Sequence, residues 1–285
     1  MKKNLLIAVI ALSGYFAFGQ RSLPSTNHSH DDFETSIVRA RSFAPNGVVR
    51  CATVEYHKDR QSRGMAVSDD AFEAWLAPKI EEIKRLRLAG RLPAVIKIPV
   101  VVHVIHNGDA VGVNENIADG QVLSQITVFN QDFRRMSGTP GFGPGVDVEI
   151  EFCLAQTDPN GNPTSGINRV NLTSAGWART GIEGTVKPST QWNPNDYLNM
   201  WTVRFAAPDD NLLGYAQFPS NSTLAGLNAN GGAANTDGVV MAFSAFGSSD
   251  IYPAGIYSAP YDKGRTTTHE VGHWLGLRHI WGDGG

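Results

Sequence analysis

The sequence predicts a mixed α/β domain with a small helical segment in front of it. Three observations carry that expectation. A β-branched run, "AVIKIPVVVHVIHN", reads as a buried strand; apolar residues at helical spacing lie on both sides of it; and a histidine-rich helix, "TTTHEVGHWLGL", stands near the end. Of the 285 residues, 41% are hydrophobic and 18% charged, the balance of a globular chain with a core to bury. A formal net charge of −3 offers no basic field to nucleic acid or an anionic membrane. No internal stretch is long and apolar enough to span a bilayer.

The N-terminus is a case apart. Lys2 and Lys3 precede an apolar run from Leu5 to Leu12, then small residues Ala17 and Gly19. Those are the three regions of a secretory signal, with cutting expected after Gly19 and no stable membrane anchor. Export places Cys51 and Cys153 where disulfides can form, so a 51–153 bridge is one reading of the pair. Residues 20–46 are polar and irregular, and His28 and His30 there read as solvated.

"SDDAFEAWLAPKIEEIKRLRLAG" predicts a helix. Ser68 is the N-cap, Asp69 and Asp70 suit the first turn, and Phe72, Leu76, Ile80 and Ile83 share a face. Pro78 should bend it and Gly90 end it. The basic connector "RLRLAGRLP" then marks a site of nicking, which divides the chain into 1–19 (signal), 20–92 (a helical pro-segment) and 93–285 (the α/β unit). His103 and His106, in or beside the first strand, read as structural. "ADGQVLSQITVFNQDFRRM" is helical, capped at Asp119, with Val122, Ile126, Phe129 and Phe133 on one face. "VDVEIEFCLAQ" alternates, so Val148, Ile150 and Phe152 face one way and Cys153 the other. "YLNMWTVRF" and "DGVVMAF" read as strands, with "LGYAQFP" a short edge strand because of its glycine and Pro219. "SNSTLAGLNANGGAANT" is a surface loop.

In "HEVGHWLGLRH" His269 and His273 are four apart, so their rings leave one face of a helix a turn apart. A threonine should cap that helix and Gly276 end it, which lets His279 return as a third ligand. Three histidines suit Zn²⁺ at about 2.0–2.1 Å and leave a fourth position open, the pattern of a catalytic site. Glu270 is placed to take a proton from a water polarised by the metal as that water attacks a carbonyl.

The spacing matches the extended metzincin motif. With "LNMW", "LGYAQFP", "TDGVVM" and "GRTTTHEVGHWLGLRHIWGDGG", residues 95–285 resemble the bacterial, secreted branch of the pappalysin family of zinc metallopeptidases. The resemblance implies a zincin-like catalytic domain with a twisted, mostly parallel sheet, an antiparallel edge strand, a backing helix and an active-site helix. It implies one catalytic zinc and protein or peptide substrates. Calcium is compatible with it, but no calcium signature is readable here. It makes Gly214, Tyr215, Ala216 and Gln217 the strand edge that pairs with an extended substrate. "VVRCATVEYH" resembles the Arg-Cys element of latent pappalysin-like proenzymes, which makes Cys51 a thiolate ligand at the open position, with Arg50 favouring the thiolate. Burial of Cys153 in a strand of the other unit favours this switch, and the disulfide stays open beside it. The family continues into a C-terminal subdomain with a methionine-containing turn, and this sequence ends at Gly285, so it reads as a piece of a longer chain. A zinc-binding protein without turnover and a hydrolase of non-peptide substrates are the alternatives; zinc content and peptide cleavage discriminate among them.

Overall fold

A computed structural model describes residues 46–66, 68–91, 95–217 and 234–279. The signal at 1–19, His28, His30, Pro219, most of the 220–236 loop and the end of the basic connector lie outside the described residues. Among the described residues no helix is long and apolar enough to cross a membrane.

The β-branched run forms the long central strand β1 (Ile96–His106), buried from Val100 to Ile105. Its length lets two strands share one edge. β2 (Ile150–Leu154) pairs with its first half and β3 (Ile167–Asn171) with its second, both parallel. On the other edge β4 (Leu198–Val203) runs parallel to β1, and β6 (Val239–Ala242) parallel to β4. β5 (Gly214–Ala216) closes the order β2-β1-β4-β6-β5 as the antiparallel edge. The sheet is therefore mostly parallel with an antiparallel edge strand, as the family resemblance implies.

Alternation along the strands separates two cores. On one face Ile98, Val100, Val102, Met200 and Met241 meet the backing helix α3 (Asp119–Phe133) through Val122, Ile126, Phe129 and Phe133. Phe152 of β2 lies 5.0 Å, centroid to centroid, from both Phe129 and Phe133. The same core takes Val271, Trp274 and Leu275 of the last helix, α4 (Arg265–Trp274). On the opposite face Ile105, Trp201, Val203 and Tyr215 are covered by a helical stretch at 179–190 and by Ala52 and Tyr56.

Two helices stand in front of β1. α2 (Asp69–Leu88) is the predicted one: Ser68 Oγ accepts from Ala71 N at 3.3 Å, and the helix runs on through Pro78. α1 (Thr53–Ser62) was not legible, because Val54 and Tyr56 do not recur at helical spacing. β3 and the 179–190 stretch, whose middle Ile182–Val186 is a π-turn, also lack a periodic signal.

His103 is structural, as expected. Buried on β1, it donates from Nε2 to Asn199 Oδ1 and accepts at Nδ1 from Asn168 Nδ2, both at 2.9 Å, and it stacks on Trp201. Burial lowers its pKa from the ordinary 6.5 to about 4. The folded state thus holds this proton less tightly than the unfolded chain. Its effect is absent above pH 6.5, and stability falls by about 1.4 kcal/mol per pH unit as the pH drops from there toward 4, about 3 kcal/mol in all. Urea unfolding of the parent and His103→Gln at pH 7 and pH 4.5 checks this; a parent no steeper in its pH dependence than the variant contradicts it.

Candidate metal centre

Two pins aim α4. Gln125 of α3 donates to Gly264 O at 3.1 Å and accepts from Gly247 N at 2.8 Å, which fixes the residue before the helix. Thr268 Oγ1 donates to Asp132 Oδ2 at 2.8 Å. The expected threonine cap is not there. The cap residue is Gly264 at φ +73°, a left-handed turn that suits glycine, and the threonines lie inside the helix. Thr267 is buried and bonds to Ala245 O.

The other end is as predicted. Gly276, at φ +94°, turns the chain out of the helix, with Gly276 N donating to His273 O and Leu277 N to Gly272 O. The turn carries Leu277 O back to within 2.7 Å of His273 Nδ1. A carbonyl only accepts, so Nδ1 bears the proton and Nε2 presents a bare lone pair. That lone pair faces His269 Nε2 at 3.0 Å and His279 Nε2 at 3.2 Å, and His269 and His279 are also 3.2 Å apart.

Cys51 Sγ completes the group: the four ligand atoms of Cys51, His269, His273 and His279 lie within 4.8 Å of one another. Tetrahedral zinc at about 2.05 Å from nitrogen needs nitrogens about 3.3 Å apart. The observed spacing meets that requirement, and ring nitrogens converging this closely call for a cation among them. The donor set therefore fits zinc. His269 faces solvent, while Cys51, His273 and His279 are buried.

Glu270 is fully buried beside this cluster. Its Oε2 accepts from Thr53 Oγ1 at 2.8 Å and from Cys51 Sγ at 3.5 Å, and its Oε1 has no hydrogen-bond partner among the described residues. Burial raises its pKa to about 8, against the lowering effect of the Thr53 and Cys51 hydrogen bonds. Burial, and then the charge of Glu270, raise the Cys51 thiol well above its ordinary range. The expected help from Arg50 is missing, since Arg50 is exposed and is not among the groups acting on the thiol. A bound cation, not Arg50, is what would make Cys51 a thiolate.

Both cysteines are free. Cys153 is exposed on β2 rather than buried, because the alternation that buries Phe152 turns its neighbour outward. The 51–153 bridge is therefore not formed.

Residues 49–53 lie along the outer edge of β5. Val49 N donates to Asn211 O and Leu213 N to Val49 O, both at 2.9 Å, with Val49 and Leu212 paired in parallel. Ala52 N donates to Gly214 O at 3.2 Å, and Ala216 N donates to Thr53 Oγ1 at 2.9 Å. Gly214 and Ala216 thus spend their edge groups on this segment. Tyr215 points to the opposite face, and Gln217 N pairs with Gly238 O. Thr53 is the residue the sequence did not disclose: its hydroxyl joins Glu270 to the strand edge, and a threonine at the start of a short helix carries no signal of that.

No protein-family model matches the chain. Over 191 residues it is 31% identical to an extracellular metalloprotease of Verticillium alfalfae, covering 67% of this chain and 54% of the relative. Extracellular metalloprotease 1 of Coccidioides posadasii is 27% identical over 225 residues, 79% of this chain and 66% of the relative. The chain thus spans about half the length of the first of these, and two thirds of the second. Among solved structures, mature mirolysin of Tannerella forsythia in complex with a cleaved peptide is 43% identical, with 67% of each chain covered and a TM-score of 0.54. A promirolysin mutant from the same organism is 35% identical over 82% of this chain and 70% of its own, with a TM-score of 0.57. On this identity and coverage the chain belongs to the metalloprotease family that includes mirolysin.

Proposed function

We propose that the chain belongs to a secreted zinc endopeptidase of the pappalysin branch of the metzincins, made as a zymogen. One observation carries the reading: three histidine Nε2 atoms converge at 3.0–3.2 Å with Glu270, next in sequence to the first of them, buried alongside. In this reading 1–19 is the signal, 20–92 the pro-segment and 93–285 the part of the catalytic domain that holds the sheet and the metal-binding helix. The extracellular names of the relatives support export.

His269, His273 and His279 hold the metal, with His273 kept in its tautomer by Leu277 O. Zinc supplies Lewis-acid polarisation of a water and of the substrate carbonyl. Glu270 takes the proton from the attacking water and returns it to the departing amine. Gly214–Ala216 offers edge hydrogen bonds to an extended peptide, and mirolysin's complex with a cleaved peptide supports that substrate class.

Cys51, at the fourth position, keeps the enzyme latent, and residues 49–53 hold the strand edge meanwhile. α2 adds to the cover, since Arg278, beside His279, meets Glu73 at 3.4 Å and lies over the Phe72 ring. The test is cleavage of a casein-type substrate by the secreted protein after removal of residues 20–92. Activity that a chelator abolishes and zinc restores is expected; chelator-resistant cleavage overturns the reading.

A further inference from the structure

We propose that the catalytic unit carries a second docking pocket for the pro-segment, built around the phenol of Tyr56 and working without metal. It deepens the latency above and rests on the reading of residues 20–92 as a pro-segment.

One turn after Thr53 leaves the edge of β5, α1 inserts Tyr56 and then Arg60, which are 6% and 5% exposed. The Tyr56 ring lies on Tyr215 with centroids 5.1 Å apart. Its hydroxyl donates to Glu183 Oε2 at 2.5 Å, accepts from Arg60 Nη1 at 2.8 Å, and lies 3.0 Å from the side-chain amide of Gln217. The other Glu183 oxygen accepts from Tyr215 Oη at 2.7 Å and from Lys187 Nζ at 2.5 Å. Lys187 is fully buried and also donates to Thr236 O at 3.1 Å.

Glu183, Lys187, Tyr215 and Gln217 all belong to the catalytic unit, held by the π-turn stretch and the end of the edge strand. π-turns recur at functional sites, and a buried ammonium is costly unless it is paired. Phenylalanine would fill the same apolar space without needing a polar partner. Here a carboxylate, a guanidinium and an amide converge on one phenol oxygen. Besides the run at 49–53 on the strand edge, the pro-segment is thus held by two side chains, Cys51 of that run at the metal cluster and Tyr56 beyond it in this pocket. Removing metal releases only the first.

The experiment is hydrogen exchange of the full chain after chelator treatment. The amides of Val49, Ala52 and Leu213 report docking on β5, and none of the three N–H groups bonds to the Tyr56 side chain, although Ala52 O accepts from Tyr56 N. Tyr56→Phe keeps the ring and removes the hydroxyl. It is expected to speed exchange at these three amides by roughly tenfold or more while the β1 amides keep their parental rates. Glu183→Gln, which also loses the Tyr215 and Lys187 pairs, should speed them too, and the double variant should fall short of the sum of the two single effects in free energy, because the Tyr56–Glu183 hydrogen bond is common to both. Parental rates at the three amides in Tyr56→Phe overturn the proposal. So do additive effects in the double variant, or equal acceleration in β1, which would mean general loosening. Zinc content and peptide cleavage play no part in this readout, so failure of the zinc peptidase reading is told apart from failure of the pocket.

Discussion

Glu270→Ala keeps one zinc per chain and loses peptide hydrolysis by roughly 10²–10⁴-fold, the usual contribution of a general base. His273→Ala loses the metal. The two outcomes separate because the residues, although close, do different work. His273 presents a lone pair at the centre of the cluster, 3.0 and 3.2 Å from the other two ring nitrogens, and its tautomer is fixed by Leu277 O. Without it two histidines remain, and affinity should fall by more than the roughly 10–100-fold that loss of a mere supporting partner costs. Glu270 contributes no atom to the four-ligand group. Its loss removes a buried carboxyl that burial already disfavours as an anion, so the fold should tolerate the change. Elemental analysis of the purified variants and turnover of a peptide substrate give the two readings. Near-parental cleavage by Glu270→Ala would show that the proton goes elsewhere.

Cys51→Ala is expected to raise the activity of unprocessed enzyme by roughly tenfold or more, equivalent to about 1.4 kcal/mol of lost inhibition. It frees the fourth position but leaves the backbone of residues 49–53 on β5 and Thr53 Oγ1 on Glu270. Release is therefore partial. Adding Thr53→Val, which keeps the shape and drops the hydroxyl, should increase it further, because Glu270 Oε2 and Ala216 N both lose that partner. The measurement is initial cleavage rate before any cut in the 85–93 connector, followed by mass spectrometry of the chain. A Cys51→Ala protein as latent as its parent contradicts the switch.

The metal site was legible because its geometry is local. His269, His273 and His279 span 11 residues, and helical pitch plus one left-handed glycine decide where their rings go. The strands β1, β4 and β6 were legible as short apolar runs buried on both faces, and the helices α2 and α3 because apolar residues recur along one side of each. What stayed hidden depends on contacts between distant residues. Thr53 reaches Glu270 across 217 positions of sequence, and Tyr56 reaches Glu183 across 127. Neither α1 nor the π-turn stretch that receives it has an apolar stripe to announce it. The threonine cap failed for a related reason: Gln125 and Asp132 of α3, not a local hydroxyl, hold the start of α4. Cys153 was misplaced because a strand with one buried face exposes the other.

X-ray absorption at the zinc edge of the unprocessed chain tests the central claim most directly, since it reads the ligands themselves. The account predicts one zinc per chain with three nitrogen ligands at about 2.0–2.1 Å and one sulfur at about 2.3 Å. In Cys51→Ser the sulfur shell should vanish and the nitrogen shell remain. A parental spectrum without sulfur, or a sulfur shell that survives Cys51→Ser, would contradict it.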